Sequence, residues 1–352
     1  MFRRFPSLGQ WLGDLETRAV RDEIAQTPVT QPVFVCGLAR AGSTILLESL
    51  AQSDVFATHC YADYPLLWTP YWWNWLRSRL PASAAVPAQR AHGDRIAVTR
   101  ESPEAFEEIL WMHFFEQRHD PHIDQRLDTA ISNAAFEQFY VEHIRKLIAV
   151  RRAQRYLAKG NYNVARLKYL LRLFPDARFI VAVRDPVDHV ASLCRQDALF
   201  DRWHQENAGI GRHLASIGHV EFGPQKHAEN LGDTQESLRI QACFQQGRIV
   251  EGFARQWAGT YGHVLKQIAA DNGLASAIRI VRYDLLCSEP EQSLAKTFLH
   301  AGLVSDEASR LANATAGRIS APSYYKTSLS TAEVTAVQEI TNEVWQSIAK
   351  KS

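Results

Sequence analysis

The chain has 352 residues, 46% of them hydrophobic, and a formal net charge of +1. That is enough apolar material for a full core and enough length for two domains, while the near-neutral balance leaves no electrostatic footprint for a nucleic-acid partner. Five cysteines (Cys36, Cys60, Cys194, Cys243 and Cys287) lack CxxC spacing, which argues against a zinc site or a disulfide framework and for free thiols in a reducing compartment.

Residues 1–30 open with basic residues but no continuous apolar core, so no targeting signal is evident. No run reaches the length of a membrane span, and a cytoplasmic protein is expected. The spacing of Phe2, Phe5, Leu8, Trp11, Leu12 and Leu15 predicts an amphipathic helical arm, packed on its own domain or on a second subunit of a homodimer.

The segment Pro32–Leu50 is the most informative. Val33–Cys36 is a short apolar run. A loop with Gly37 and Gly42 follows, and then Ser43, Thr44 and a helical pattern led by Ile45, Leu46, Leu47 and Leu50. Strand, glycine-bearing loop and helix N-terminus form a phosphate cradle. Glycines let the backbone approach an anion, and the first-turn N–H groups point at it. The spacing is GxxxxG, but Ser43 stands where a nucleotide hydrolase has lysine, so Arg40 must supply the charge.

Nine of the fifteen residues from Tyr61 to Trp75 are Tyr, Trp or Pro. Such aromatics suit sugar rings, aryl groups or a lipid tail, and equally a core or an oligomer interface. Pro81–Asp94 reads as a loop. Asn133–Arg155 reads as a long amphipathic helix and Leu167–Phe174 as a shorter one. Phe179–Val183 is a second buried strand. Arg184 sits at its end, Pro186 can open the next helix, and Ser192 lies eight residues past Arg184. An arginine at a strand end and a serine on the following helix can bracket a second phosphate. Asn207–Asp233 has no clean period and reads as an insertion beside the site, serving as a lid. A helix over Ala254–Asn272 and a third apolar run at Ile278–Leu286 follow. Ser330–Glu333 is a capping box for a final helix. Strands alternating with helices indicate an α/β protein with a parallel sheet. The expected architecture is a P-loop-like three-layer fold, with a central parallel sheet flanked by helices. One domain over residues 31–352 carries insertions around 70–130 and 200–235.

Together, Ala39-Arg40-Ala41-Gly42-Ser43-Thr44 and the Arg184…Ser192 pair resemble the sulfotransferases that use 3′-phosphoadenosine 5′-phosphosulfate (PAPS), in their bacterial, tyrosylprotein and carbohydrate branch. Tyr283-Asp284-Leu285-Leu286 is similar to that family's later strand end. The chain departs from the usual PRSGTT loop at Ala39, Ala41 and Ser43. The resemblance implies a P-loop of Leu38, Ala39, Arg40, Ala41, Gly42, Ser43 and Thr44 around the 5′-phosphosulfate. It also implies Arg184 and Ser192 on the 3′-phosphate and Tyr283 near the adenine. Arg40 would clamp the leaving group, Lys159 would neutralise a sulfonate oxygen, and Asn161 would orient donor or acceptor. The family's base position corresponds to the zone around Asp63, 23 residues after Arg40. His59 competes with Asp63 for that role, Asp94 and the Glu101–Glu108 cluster lie further out, and Asp63 could instead cap the turn before Pro65. The cluster itself reads as a solvated helix face. Tyr324 and Lys326 could reach the 3′-phosphate. The implied reaction moves a sulfuryl group to a hydroxyl on a carbohydrate, lipid or small metabolite, leaves adenosine 3′,5′-bisphosphate, and uses no metal. A P-loop kinase or hydrolase, or a non-catalytic nucleotide-binding protein, are the other readings. The missing loop lysine and the Arg184/Ser192 pair argue against the first, and the retained Arg40 and Asp63 weakly against the second.

Overall fold

A computed structural model describes residues 6–79, 88–89, 97–320 and 329–351. Five parallel strands form the main sheet: β1 (Val33–Cys36), β2 (Phe56–Ala57), β5 (Arg155–Lys159), β6 (Arg178–Val183) and β7 (Ile278–Arg282). Their spatial order is β2-β5-β1-β6-β7. Two two-residue strands, β3 (Ala88–Gln89) and β4 (Ala97–Val98), pair separately. Central β1 aligns Val35 with Lys159 on one side and with Ile180 on the other.

The three layers follow from side-chain alternation along each strand. Phe34, Cys36, Tyr156, Ala158, Phe179 and Val181 face one core. There they meet Phe136, Tyr140 and Ile144 of the helix Ala134–Arg151, together with Trp257 and Tyr261 of the helix Ile249–Ala270. Val33, Val35, Leu157, Ile180 and Ala182 face the opposite core. Leu46, Leu47 and Leu50 of the helix Ser43–Leu50, and Leu294 and Phe298 of Pro290–His300, cover that side. Both faces of the sheet are thus dry. Burying each large aliphatic or aromatic side chain contributes about 1.5–3 kcal/mol, and for that reason the central strands read as unbroken apolar runs.

The helix expected over Asn133–Arg155 ends earlier. Asn133 caps it, accepting from the Phe136 N–H at 3.0 Å, and it stops at Arg151 with Arg152 in the left-handed region at φ 55°. The next residues form β5 instead. The helix expected over Ala254–Asn272 runs Ile249–Ala270, with a short helix Asn272–Ala277 behind it. The C-terminal capping box forms as expected, Ser330 and Glu333 bonding reciprocally at the start of Thr331–Ala349.

The N-terminal helix Pro6–Ala19 is docked on the body. Glu16 and Lys146, both fully buried, pair at 2.9 Å, and Lys146 also donates to the Gly13 carbonyl at 3.0 Å. A Cβ at Gly13 would lie 2.8 Å from Phe139, so glycine is what lets the two helices approach. Phe2 and Phe5 lie outside the described residues. Among the described residues no helix is long and apolar enough to cross a membrane.

The segment expected as a lid is packed down. It contains a helix, Ala208–Ala215. Phe222 and Ala228 join a core with Phe200 and Phe253, and Lys226 pairs with Asp197 at 3.1 Å.

Candidate active site

The C-terminal ends of β1, β5, β6 and β7 lie side by side, where open parallel sheets bind ligands. Most residues singled out from the sequence gather there. The β1 loop turns through three left-handed residues, Gly37 (φ 125°), Arg40 (φ 71°) and Gly42 (φ 96°). A Cβ on Gly37 would collide with the Ala182 carbonyl of β6, and one on Gly42 would lie 2.6 Å from the Tyr283 ring. The loop is therefore pressed against the end of β6 and against Tyr283, which follows β7. Ala41 closes it, donating to the Leu38 carbonyl at 3.3 Å, and the helix Ser43–Leu50 begins directly after Gly42. Ser43, buried beneath the turn, and Thr44 supply the first-turn amides that a helix leaves without intrahelical partners.

The second motif is tied to the first. Asp185 caps the helix Pro186–Glu206, accepting from the Val187 and Asp188 N–H groups at 3.0 and 3.2 Å. One turn in, His189 donates from Nε2 to the Ala39 carbonyl at 2.8 Å. Burial lowers the His189 pKa to about 3, so the ring is neutral and a fixed donor. Ser192 Oγ accepts from Arg40 Nε at 3.5 Å. The Arg184 guanidinium lies 5.3 Å from the centre of the Tyr283 ring, which in turn meets Gly42. Tyr261 clasps the rear, its hydroxyl accepting from the Leu38 N–H at 3.3 Å and donating to the Ala182 carbonyl at 2.9 Å. Two arginines, a serine hydroxyl and a helix N-terminus thus converge, a donor set suited to two anionic groups at once.

Lys159 ends β5 beside the root of the loop, where the Gly160 N–H donates to the Val35 carbonyl at 3.0 Å. It lines a cleft with Gly160, Asn161, Asn163, Glu107, Glu108, Trp111, His219 and Glu221. Asn161 donates to Glu221 at 2.9 Å.

Asp63 is not in this cleft. It is fully buried at the third position of the 3₁₀ turn Tyr61–Leu66, and accepts from the Cys60 N–H at 2.9 Å. The same carboxylate accepts from Arg151 at 2.7 Å, His59 Nδ1 at 3.3 Å and Asn74 at 3.3 Å. Burial alone would push its pKa up. The bonds from His59, Arg151 and the Cys60 amide overcome that and hold it well below the usual carboxylate range. Buried and ion-paired in this way, Asp63 holds the turn together at a distance from the cleft residues. His59 is equally enclosed, with Nε2 at 3.0 Å from His143 Nε2. The aromatic run does not wall the cleft either. Trp68 is in the core, and Trp73 donates to the Ala62 carbonyl at 2.5 Å.

The acidic cluster is not a solvated face. Glu101 is exposed, whereas Glu104, Glu107 and Glu108 are inside. The alternation of Phe106, Ile109, Leu110 and Trp111 with these glutamates was the available signal. Nothing in the sequence pointed to Glu221. Asp94, Tyr324 and Lys326 lie outside the described residues.

A model of the sulfotransferase family matches residues 32–222. Among solved structures, the chain is similar to sulfotransferase STF9 from Mycobacterium avium, at a TM-score of 0.54 and 14% identity, covering 94% of this chain and 81% of that one. Sulfotransferase STF1 from Mycobacterium tuberculosis H37Rv gives a TM-score of 0.49 at 15% identity, with the same coverage. At these identities the first likeness bears on the fold alone. No curated protein sequence matches the chain.

Proposed function

The chain belongs to the sulfotransferase family, and on that footing we propose that it moves the sulfuryl group of PAPS to a hydroxyl acceptor, which is a carbohydrate, a lipid or a small metabolite. One observation carries the choice of donor. The two motifs meet, Arg40 reaching Ser192 at 3.5 Å while Tyr283 lies between Gly42 and Arg184. A single phosphate needs only the first motif, so a second cationic position alongside fits a nucleotide phosphorylated at both 3′ and 5′.

In this reading the amides of Gly42, Ser43 and Thr44 and the Arg40 fork hold the 5′-phosphosulfate, where negative charge grows as the sulfuryl group departs. Leu38, Ala39 and Ala41 shape the loop backbone. Arg184 and Ser192 hold the 3′-phosphate, and Tyr283 flanks the nucleoside. Lys159 lines the cleft at the end of β5, where it neutralises a sulfonate oxygen. Arginine and backbone donors form the charge clamp, so transfer is expected to persist in EDTA.

Adenosine 3′,5′-bisphosphate is expected to raise the melting temperature, because it binds only the native state. AMP is expected to do much less, since it leaves Arg184 and Ser192 unengaged. Arg184→Ala should weaken bisphosphate binding by about 1.5–3 kcal/mol and Ser192→Ala by about 1 kcal/mol, read by calorimetric titration. Equal stabilisation by AMP and the bisphosphate, or wild-type affinity in both variants, would sink the donor assignment. A screen of labelled PAPS against a metabolite extract, read by mass shift, identifies the acceptor.

A further inference from the structure

The cleft beside Lys159 holds three carboxylates, and their surroundings differ. Glu108 is fully committed. It accepts from Arg166 at 2.6 and 2.8 Å and from His119 at 2.9 Å. Burial raises its pKa, but Arg166 and His119 outweigh that and bring it to about 2. Glu221 accepts from Asn161, and His219 Nδ1 stands 3.7 Å from its other oxygen. Its pKa, again raised by burial and lowered further by His219 and Asn161, falls to about 2. Cationic or amide neighbours thus hold both below the usual carboxylate range, Glu108 by direct bonds and Glu221 through Asn161 and the more distant His219.

Glu107 is placed differently. Its Oε1 accepts from the Tyr156 hydroxyl at 2.5 Å and the Tyr140 hydroxyl at 2.7 Å. Its Oε2 is buried and has no hydrogen-bond partner, and the residue is only 4% exposed. Asn163 lines the same cleft at 1% exposure, with neither amide atom partnered. Buried polar atoms are rarely left this way, and with the unpartnered Asn161 Oδ1, Tyr162 hydroxyl, Trp111 Nε1 and Glu221 Oε2 of the same lining they mark a place where a polar ligand belongs.

We propose that Glu107 Oε2 is the general base that takes the acceptor's proton, with Asn163 bonding the acceptor alongside it. The proposal rests on the sulfotransferase reading. The acceptor O–H proton passes to Glu107 Oε2 as the acceptor oxygen bonds to sulfur. The bond from sulfur to the 5′-phosphate oxygen breaks, its electron pair stays on that oxygen, and the bisphosphate leaves. Burial raises the Glu107 pKa, and the two tyrosine hydroxyls pull it part of the way back. That makes it a stronger proton acceptor than either cleft neighbour. The tyrosines are positioning residues, holding Oε1 and leaving Oε2 as the unpartnered oxygen.

The test uses the full chain and labelled PAPS, reading transfer to the acceptor found by the screen and sulfate release to water. Glu107→Gln is expected to lower turnover by about 10²-fold or more, while the bisphosphate still raises its melting temperature as in the wild type. Tyr156→Phe removes a donor to the ionised carboxylate, so the Glu107 pKa rises and the acid limb of the rate profile moves to higher pH. The groups around Glu107 that could also titrate or bias it are Tyr140, His59, Arg166, Glu108, Lys159 and Glu221, and in this variant all of them stay in place. Turnover within threefold of wild type in Glu107→Gln overturns the proposal. If that variant does not fold, an unmoved acid limb in Tyr156→Phe does so. A wild type that ignores the bisphosphate, or binds it and moves no label from PAPS to any acceptor, overturns the transferase reading instead, and this proposal with it.

Discussion

Arg40→Ala is expected to lower sulfuryl transfer by about 10²–10³-fold, the scale for one positioned donor at a developing charge, and to weaken bisphosphate binding in the same variant. Both effects come from one guanidinium. It lies inside the glycine loop and also bonds Ser192, so it links the two segments proposed to hold the phosphates. The backbone supplies a control. Arg40 is left-handed at φ 71°, a conformation that favours glycine. Arg40→Gly therefore removes the same side chain while relieving the backbone, and should be equally inactive with no loss of stability. Steady-state kinetics and calorimetry on the pair check this. Turnover within fivefold of wild type in Arg40→Ala would show that the loop's charge comes from elsewhere.

Asp63→Asn is expected to be a folding variant. Removing the carboxylate leaves Arg151, His59 and the Cys60 amide facing a neutral amide in a closed site. Breaking a buried ion pair from one side costs about 3–5 kcal/mol, and the partial exposure of Arg151 favours the lower end. Denaturant midpoints measure it. The pH dependence gives a second signature. The folded-state pKa of Asp63 is depressed, so its stabilisation is complete above the unfolded value of about 3.9 and fades as pH falls through the folded value. Wild type should lose stability on acidification more steeply than Asp63→Asn. Transfer per folded molecule should be nearly unchanged. A stable, inactive Asp63→Asn would restore Asp63 as the base.

What the sequence disclosed follows from burial. β1 and β6 were legible because strands dry on both faces become continuous apolar runs. β5 escaped notice because RYLAK starts and ends with charge. Arg155 spends its guanidinium on the carbonyls of Gln31 and Ala301, and Lys159 belongs to the site. No glycine or proline marks the end of the preceding helix either. The glycine loop after β1 was legible because its glycines are demanded by close backbone approach. The surroundings of the carboxylates were not, because spacing along the chain identifies a carboxylate but not its neighbours. Arg151, which neutralises Asp63, lies 88 residues away, and the tyrosines that hold Glu107 come from a helix and a strand 33 and 49 residues on.

Central β1 has a consequence for biosynthesis. Its partners are residues 155–159 on one side and 178–183 on the other, so the strand emerges from the ribosome long before either neighbour exists. At about 5–20 residues per second, the roughly 120 residues between β1 and β5 impose a wait on the order of ten seconds. For that interval Val33–Cys36 is an unpaired apolar edge, the kind that pairs with the wrong chain. Nascent chains stopped before residue 155 should therefore be degraded by added protease and captured by holding chaperones. Chains released at full length should resist both, and protection of the short chains would show that the first strand has found shelter without its sheet.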